Sequence, residues 1–131
     1  MVAAVRSCVF DASAVLALLL GEPGADRVDM MRLGSIWSTI NYAEVLTKLS
    51  AVSGSLEGTR LRIDRLELTP TPFDVEQAAI AASLWPVAKP LGLSLADRCC
   101  MALALSRRLP VVTGDRKWQK AGLDLEIIPI R

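Results

Sequence analysis

The chain has 131 residues, 52% hydrophobic and 22% charged, with 15 Lys+Arg against 14 Asp+Glu for a net charge of +1. Such a chain makes one globular domain over residues 1–131, able to bury a core without metal or disulfide staples, and disorder is excluded. The absence of histidine excludes Ser-His-Asp and Cys-His catalysis, His-ligated zinc and imidazole acid–base chemistry together.

Short apolar runs alternate with longer helical patterns, in a βαβ-like order. Val5 to Phe10 reads as a first strand and Ser13 to Leu20 as a first helix, apolar on every side and so packed between a sheet and other helices. Gly21-Glu22-Pro23-Gly24 breaks the chain. Ala25 to Leu33 is a second helix, Ile36 to Ser38 a short strand, and Asn41 to Val52 a third helix stopped by Ser53-Gly54. An exposed helix over Leu56 to Leu66 carries Arg60, Arg62 and Arg65; a strand near Glu67 to Thr69 is closed by Pro70 and Pro72. Then come helices at Asp74 to Trp85 and Ser94 to Arg108, a buried strand at Val111 to Thr113, a short helix at Arg116 to Lys120 and a last strand at Leu125 to Ile130. Five short strands alternating with helices predict a three-layer α/β/α sandwich around a mostly parallel five-stranded sheet.

The three cysteines, Cys8, Cys99 and Cys100, lack C-x-x-C spacing, and read as reduced core thiols. The longest apolar run, Ala14 to Leu20, falls far short of the roughly 20 residues of a membrane span. With no basic leader ahead of a cleavage-like site, a cytoplasmic protein is expected. Charge is uneven: between Asp97 and Lys120 six cations face two acids, so this stretch is basic while the rest is acidic. A basic region on a near-neutral protein can bind a polyanion through salt-dependent phosphate contacts, although solvated helix faces have the same composition.

Four acids stand where a strand hands over to a helix: Asp11, Glu44, Asp97 and Asp115. In a parallel sheet the carboxyl ends of the strands and the amino ends of the following helices share one edge, where such folds place ligands. The helix from Asp97 descends, Leu109-Pro110 reverses the chain, and the strand climbs back to Asp115. Each acid also has a capping reading. Ser94-Leu95-Ala96-Asp97 has the form of a capping box, Asn41 precedes Glu44 by three, which would put Glu44 in the first turn of its helix, and Asp115 can cap the short helix after it. Four carboxylates gathered on one apolar rim would repel one another unless a cation neutralised them. Mg²⁺ or Mn²⁺, which favour carboxylate and water oxygens, are the economical partners, and they make phosphodiester hydrolysis the leading chemistry.

At the same residues the sequence resembles the PIN-domain ribonucleases, and among them the VapC toxins of bacterial toxin–antitoxin pairs. The resemblance is carried by Val9-Phe10-Asp11-Ala12-Ser13-Ala14, Leu20-Gly21-Glu22-Pro23-Gly24, Asn41-Tyr42-Ala43-Glu44-Val45-Leu46, Leu91-Gly92-Leu93-Ser94-Leu95-Ala96-Asp97-Arg98 and Leu109-Pro110-Val111-Val112-Thr113-Gly114-Asp115-Arg116. It implies a Mg²⁺ site, with Mn²⁺ as a substitute, formed by Asp11, Glu44, Asp97 and Asp115, and supporting hydroxyls from Ser13 and Thr113. It further implies endonucleolytic RNA cleavage by metal-activated water, leaving 5′-phosphate and 3′-hydroxyl ends and inhibiting translation. In those roles Asp11 and Asp97 would be the principal ligands, with Glu44 and Asp115 acting through water.

Gly114 departs from the family pattern, where Ala or a similar small residue is expected. Arg98 would contact phosphate or pair with a neighbouring acid, while Arg116 and Lys117 are better placed for RNA. Trp118 could stack on a base, though core is the commoner fate of such an aromatic, as for Trp37 and Trp85. The resemblance also implies a VapB-type antitoxin covering the site and a homodimer. The first helix and the helix around Ile40 to Leu49 are candidate faces for the antitoxin, and the third and Asp74 to Trp85 helices for the dimer. A phosphorylation receiver is disfavoured, since Asp11 stands alone after the first strand and no Lys follows the last. A module that binds RNA or the antitoxin without turnover is the remaining alternative.

Overall fold

The architecture follows from a sheet of short strands, buried along β1 and β4 at its middle and more open at β3 and β5 at its edges. It is seen in a computed structural model that describes residues 6–131. The strands are β1 (Val9–Phe10), β2 (Ile36–Ser38), β3 (Thr69–Thr71), β4 (Val111–Thr113) and β5 (Ile127–Pro129), in the order β3-β2-β1-β4-β5 with every pair parallel. Val5, at the start of the predicted first strand, lies outside the described residues. The helices are α1 (Ala12–Leu20), α2 (Ala25–Met31), α3 (Thr39–Ser53), α4 (Leu56–Asp64), α5 (Val75–Ser83), α6 (Trp85–Ala88) and α7 (Leu95–Arg107), with 3₁₀ turns at Lys89–Leu91 and Arg116–Ala121.

Strand alternation assigns the two faces of the sheet. Phe10 and Val112 point into a core with Ala14, Val15, Val28, Trp37, Val45 and Ile63, the side of α1 to α4. Val9 and Val111 point the other way, into a core with Leu84, Ala88, Cys100, Met101, Leu103 and Trp118, the side of α5 to α7. The result is the expected three-layer sandwich, with a sheet that is wholly parallel. Cys8, Cys99 and Cys100 are buried and unbridged. Trp118 is fully enclosed, so it is a core residue and offers no base a face; Trp37 is enclosed too, but Trp85 is half exposed. No helix among the described residues is long and apolar enough to cross a membrane.

Caps explain where the helices begin and end. Asp11, Ser38, Ser55, Asp74 and Ser94 each accept a backbone N–H at the start of α1, α3, α4, α5 and α7. Ser94 and Asp97 complete the predicted capping box reciprocally. The start of α3 differs from expectation: Ser38 caps it by accepting from the Ile40 N–H at 3.1 Å, so Asn41 lies inside the helix and Glu44 in its second turn. β3 also differs, because Pro70 falls within the strand instead of closing it. β3 is an edge strand paired only with β2, where a missing N–H can face away from the ladder.

The Gly21–Gly24 break sits against the end of β5. Gly24 has φ +96°, and a Cβ there would fall 2.5 Å from the Ile130 carbonyl oxygen and 2.9 Å from its Cβ. Gly24→Ala therefore combines a left-handed backbone with a clash against main chain. We expect a loss of about 3 kcal/mol, read as a lowered urea midpoint at unchanged slope.

Candidate active site at the carboxyl edge of the sheet

The chain winds from β1 through β2 to β3 on one side, then crosses to β4 and β5 on the other, so β1 and β4 flank a topological switch point. Their carboxyl ends leave a crevice there, because the connections depart in opposite directions. Asp11 follows β1, and Thr113, Gly114 and Asp115 end and follow β4.

Asp11 is the centre of this crevice. Its residue is only 4% exposed. Its Oδ1 accepts from the Ala14 N–H at 2.9 Å, and its Oδ2 from the Thr113 hydroxyl at 2.6 Å. The Ser13 hydroxyl lies 2.7 Å from Oδ1 and 2.9 Å from Oδ2. The two hydroxyls are themselves held by the β4 loop: the Gly114 N–H donates to Ser13 Oγ at 2.8 Å and the Asp115 N–H to Thr113 Oγ1 at 3.0 Å. Burial pushes the Asp11 carboxyl up to about 6, against the opposing hydrogen bonds of Thr113, Ala14 and Ser13, and the charge of Asp97 adds to the rise. Three donors meet a carboxylate with about four acceptor positions, so Asp11 retains room for one more positive partner.

Of the other acids, Asp97 and Asp115 each commit one oxygen to a backbone N–H, and Glu44 meets a side-chain amide. Asp97 Oδ2 accepts from the Ser94 N–H at 2.8 Å. Asp115 Oδ1 accepts from the Lys117 N–H at 2.9 Å, and its Oδ2 lies 3.9 Å from the Lys117 ammonium. Glu44 is approached by the Asn41 amide, whose Nδ2 lies 3.4 Å from Glu44 Oε1 and 3.3 Å from the Ala96 carbonyl. Capping and a ligand role are thus compatible, since the capping bonds use only one oxygen of Asp97 and of Asp115.

Burial, followed by the charges of Asp11, Asp97, the Cys99 thiol and Glu44, raises the Cys100 thiol well above its ordinary range. The fields of these three acids thus overlap at one point of α7. No three His, Cys, Asp or Glu side chains among the described residues form a ready-made cage. The donors at this edge are carboxylate oxygens, which hard divalent cations favour over nitrogen or sulfur.

Among the cations, Arg116 and Lys117 are exposed beside Asp115. Arg98 is turned inward: its Nη1 donates to the Ala81 carbonyl at 2.9 Å, its guanidinium lies 5.2 Å from the Trp85 ring centre, and its buried Nε finds no protein partner. It forms no ion pair among the described residues. Two residues were not singled out for the roles they hold. Asn41, buried with its Oδ1 unpartnered, bridges α3 to the first turn of α7; the Asn41–Glu44 spacing of three signals helical neighbours as well as a cap. Arg131 lies against Gly114, and no local pattern marks it.

A family model described as the PIN domain matches residues 8–123. No curated protein matches the sequence. Among solved structures, a toxin–antitoxin complex from Klebsiella pneumoniae is 18% identical with a TM-score of 0.71, over 95% of this chain and 98% of that one. DNA-bound VapBC from Salmonella typhimurium is 17% identical with a TM-score of 0.72, over 98% and 100%. FitAcB from Neisseria gonorrhoeae is 24% identical with a TM-score of 0.67, over 94% and 97%. At these identities the likeness establishes the shared fold.

Proposed function

The chain belongs to the PIN domain family, and we propose that it is a Mg²⁺-dependent endoribonuclease, Mn²⁺ substituting, that serves as the toxin of a toxin–antitoxin pair in the cytoplasm. The observation that carries the reading is Asp11: a buried carboxylate at the switch point, fixed by two hydroxyls and a backbone N–H, with Glu44, Asp97 and Asp115 on the same edge. Solved structures of the same fold are toxin–antitoxin complexes, which supports the partner.

Asp11 and Asp97 would hold the cation directly, with Glu44 and Asp115 acting through water. When bound, the cation would supply charge neutralisation at phosphate and an activated water nucleophile. Ser13 and Thr113 orient the Asp11 carboxylate, and their donated hydrogen bonds favour its charged form against burial. Glu44 has one oxygen free of protein donors to receive a proton from water. Arg116 and Lys117 draw the RNA backbone to the rim. Phosphodiester hydrolysis in this frame leaves a 5′-phosphate and a 3′-hydroxyl and, by destroying RNA, inhibits translation.

A VapB-type antitoxin would seat an apolar segment on the face of α1 and α3, where Leu16, Leu19 and Leu46 are partly buried and Leu20 is 54% exposed. A homodimer through α3 and α5 is the expected assembly, checked by light scattering. The deciding experiment is cleavage of total bacterial RNA by the purified, partner-free chain with Mg²⁺, with Mn²⁺ and with chelator. Metal-dependent discrete fragments support the nuclease, and sequencing their ends names the target. Intact RNA with both metals would favour a binding module without turnover.

Ser13→Ala removes a donor from Asp11 and the acceptor of the Gly114 N–H. It should weaken metal affinity and cleavage about 10- to 100-fold, with calorimetric metal titration and initial rates as the two readouts.

A further inference from the structure

The glycine at position 114 has a cause that its own backbone does not supply. Its φ lies outside the left-handed region, so any residue could adopt the conformation. A Cβ there, however, would stand 2.8 Å from Arg131 Nη2, 3.0 Å from Arg131 Cζ and 3.3 Å from Ser13 Oγ. The space a methyl group would fill is taken by the guanidinium of Arg131, immediately beside the hydroxyl that orients Asp11.

Arg131 is held there from several directions. The Ile130 N–H donates to the Thr113 carbonyl at 3.1 Å and extends the β4–β5 ladder. Ile130 is buried, and its carbonyl and side chain press against Gly24. Arg116 Nε donates to the Arg131 carbonyl at 3.1 Å, and Arg131 Nη1 donates to the Pro23 carbonyl at 3.0 Å. Among the described residues that last bond is the single hydrogen bond its guanidinium makes, out of the five N–H donors an arginine carries. None of the ion pairs among the described residues includes it. A positioned cation therefore borders the acidic crevice without neutralising it, and its free N–H groups have the fork geometry that matches two phosphate oxygens.

We propose that Arg131 binds an RNA phosphate at the acidic rim, and that Gly114 is the seat that admits its guanidinium. This rests on the nuclease reading. It adds to the exposed pair Arg116 and Lys117 a cation contributed from the end of β5, its carbonyl bonded to Arg116 and its guanidinium beside Gly114.

The test compares Arg131→Gln, Arg131→Lys and Gly114→Ala with the unaltered protein. Steady-state cleavage of a labelled single-stranded RNA is measured with Mg²⁺. Binding of the same RNA is measured in chelator by fluorescence anisotropy between about 50 and 200 mM salt. Arg131→Gln should raise KM about tenfold with kcat changed less than threefold, and should flatten the salt dependence by about one phosphate contact. Arg131→Lys should restore the salt slope and only part of the affinity. Gly114→Ala should move KM in the direction of Arg131→Gln, because its methyl group displaces the guanidinium while every charge is retained.

An Arg131→Gln protein with unchanged KM and salt slope would overturn the proposal, whether or not it melts at a lower temperature, and would leave Arg131 a structural clamp. If the unaltered protein cleaves nothing, the nuclease reading fails by itself, and the salt slopes still decide whether Arg131 meets phosphate. RNA binding absent from the unaltered protein would overturn both.

Discussion

Asp97→Asn should lower metal-dependent RNA cleavage by about 1,000-fold or more while leaving the protein folded. A cation bound at the rim would contribute several kcal/mol of transition-state stabilisation, and each 1.36 kcal/mol corresponds to about tenfold in rate. The substitution removes the anionic charge but keeps an acceptor for the Ser94 N–H, so the reciprocal cap at the start of α7 persists. The structural cost is limited to a weaker interaction with the helix dipole, about 1 kcal/mol or less. Cleavage rates beside a melting curve and a circular dichroism spectrum check this; a folded Asp97→Asn protein that still cuts RNA would remove Asp97 from the site.

Asp11→Asn should also abolish cleavage, yet in chelator it should make the protein more stable at pH 7.5. The sign follows from burial. With its folded value near 6 and an ordinary value near 3.8, Asp11 binds a proton more tightly in the folded chain than in the unfolded one. Stability from this group is greatest where both states are protonated and falls as pH rises between those values; above about 6 the full cost of a buried charge remains. That cost is roughly 3 kcal/mol, which Asn avoids while retaining hydrogen-bonding atoms for Ala14 and the two hydroxyls. Melting temperatures of the two proteins should coincide near pH 4 and separate by several degrees at pH 7.5, and added Mg²⁺ should raise only the unaltered protein. A mutant less stable than its parent at pH 7.5 would show that the hydrogen bonds to Asp11 outweigh its desolvation.

Much of this was legible in the residues. Strand and helix periods placed β2 and β4 at their observed ends, and the run from Asp97 through Leu109-Pro110 to Asp115 implied that both acids return to one edge. Ser94 and Asp97 announced their cap by spacing alone. What was hidden depends on contacts between distant segments. Pro70 reads as a strand breaker until β3 is known to be an edge, Asn41 reads as a cap until Ser38 takes that place, and nothing near Arg98 in sequence announces its contacts with Ala81 and Trp85. Gly114 stood out only as a departure from the family pattern, because the group that needs its space is Arg131, held by the end of β5 and the Pro23 turn rather than by any neighbour in sequence.

The hydrogen bond from Thr113 to Asp11 spans 102 residues of chain, and β1 sits at the middle of the sheet with β4 as one of its two neighbours. A chain growing from its amino end can build α1 to α4 against β1 and β2 early, but β1 stays open along one side until residues beyond Thr113 have left the ribosome. Loop closure over such a distance also places this pairing late in folding. The carboxylate at the centre of the site consequently lacks its Thr113 hydroxyl until β4 has docked beside β1. A fragment that stops short of β4 therefore carries Asp11 without the hydroxyl that orients it, and without the strand that closes one side of β1.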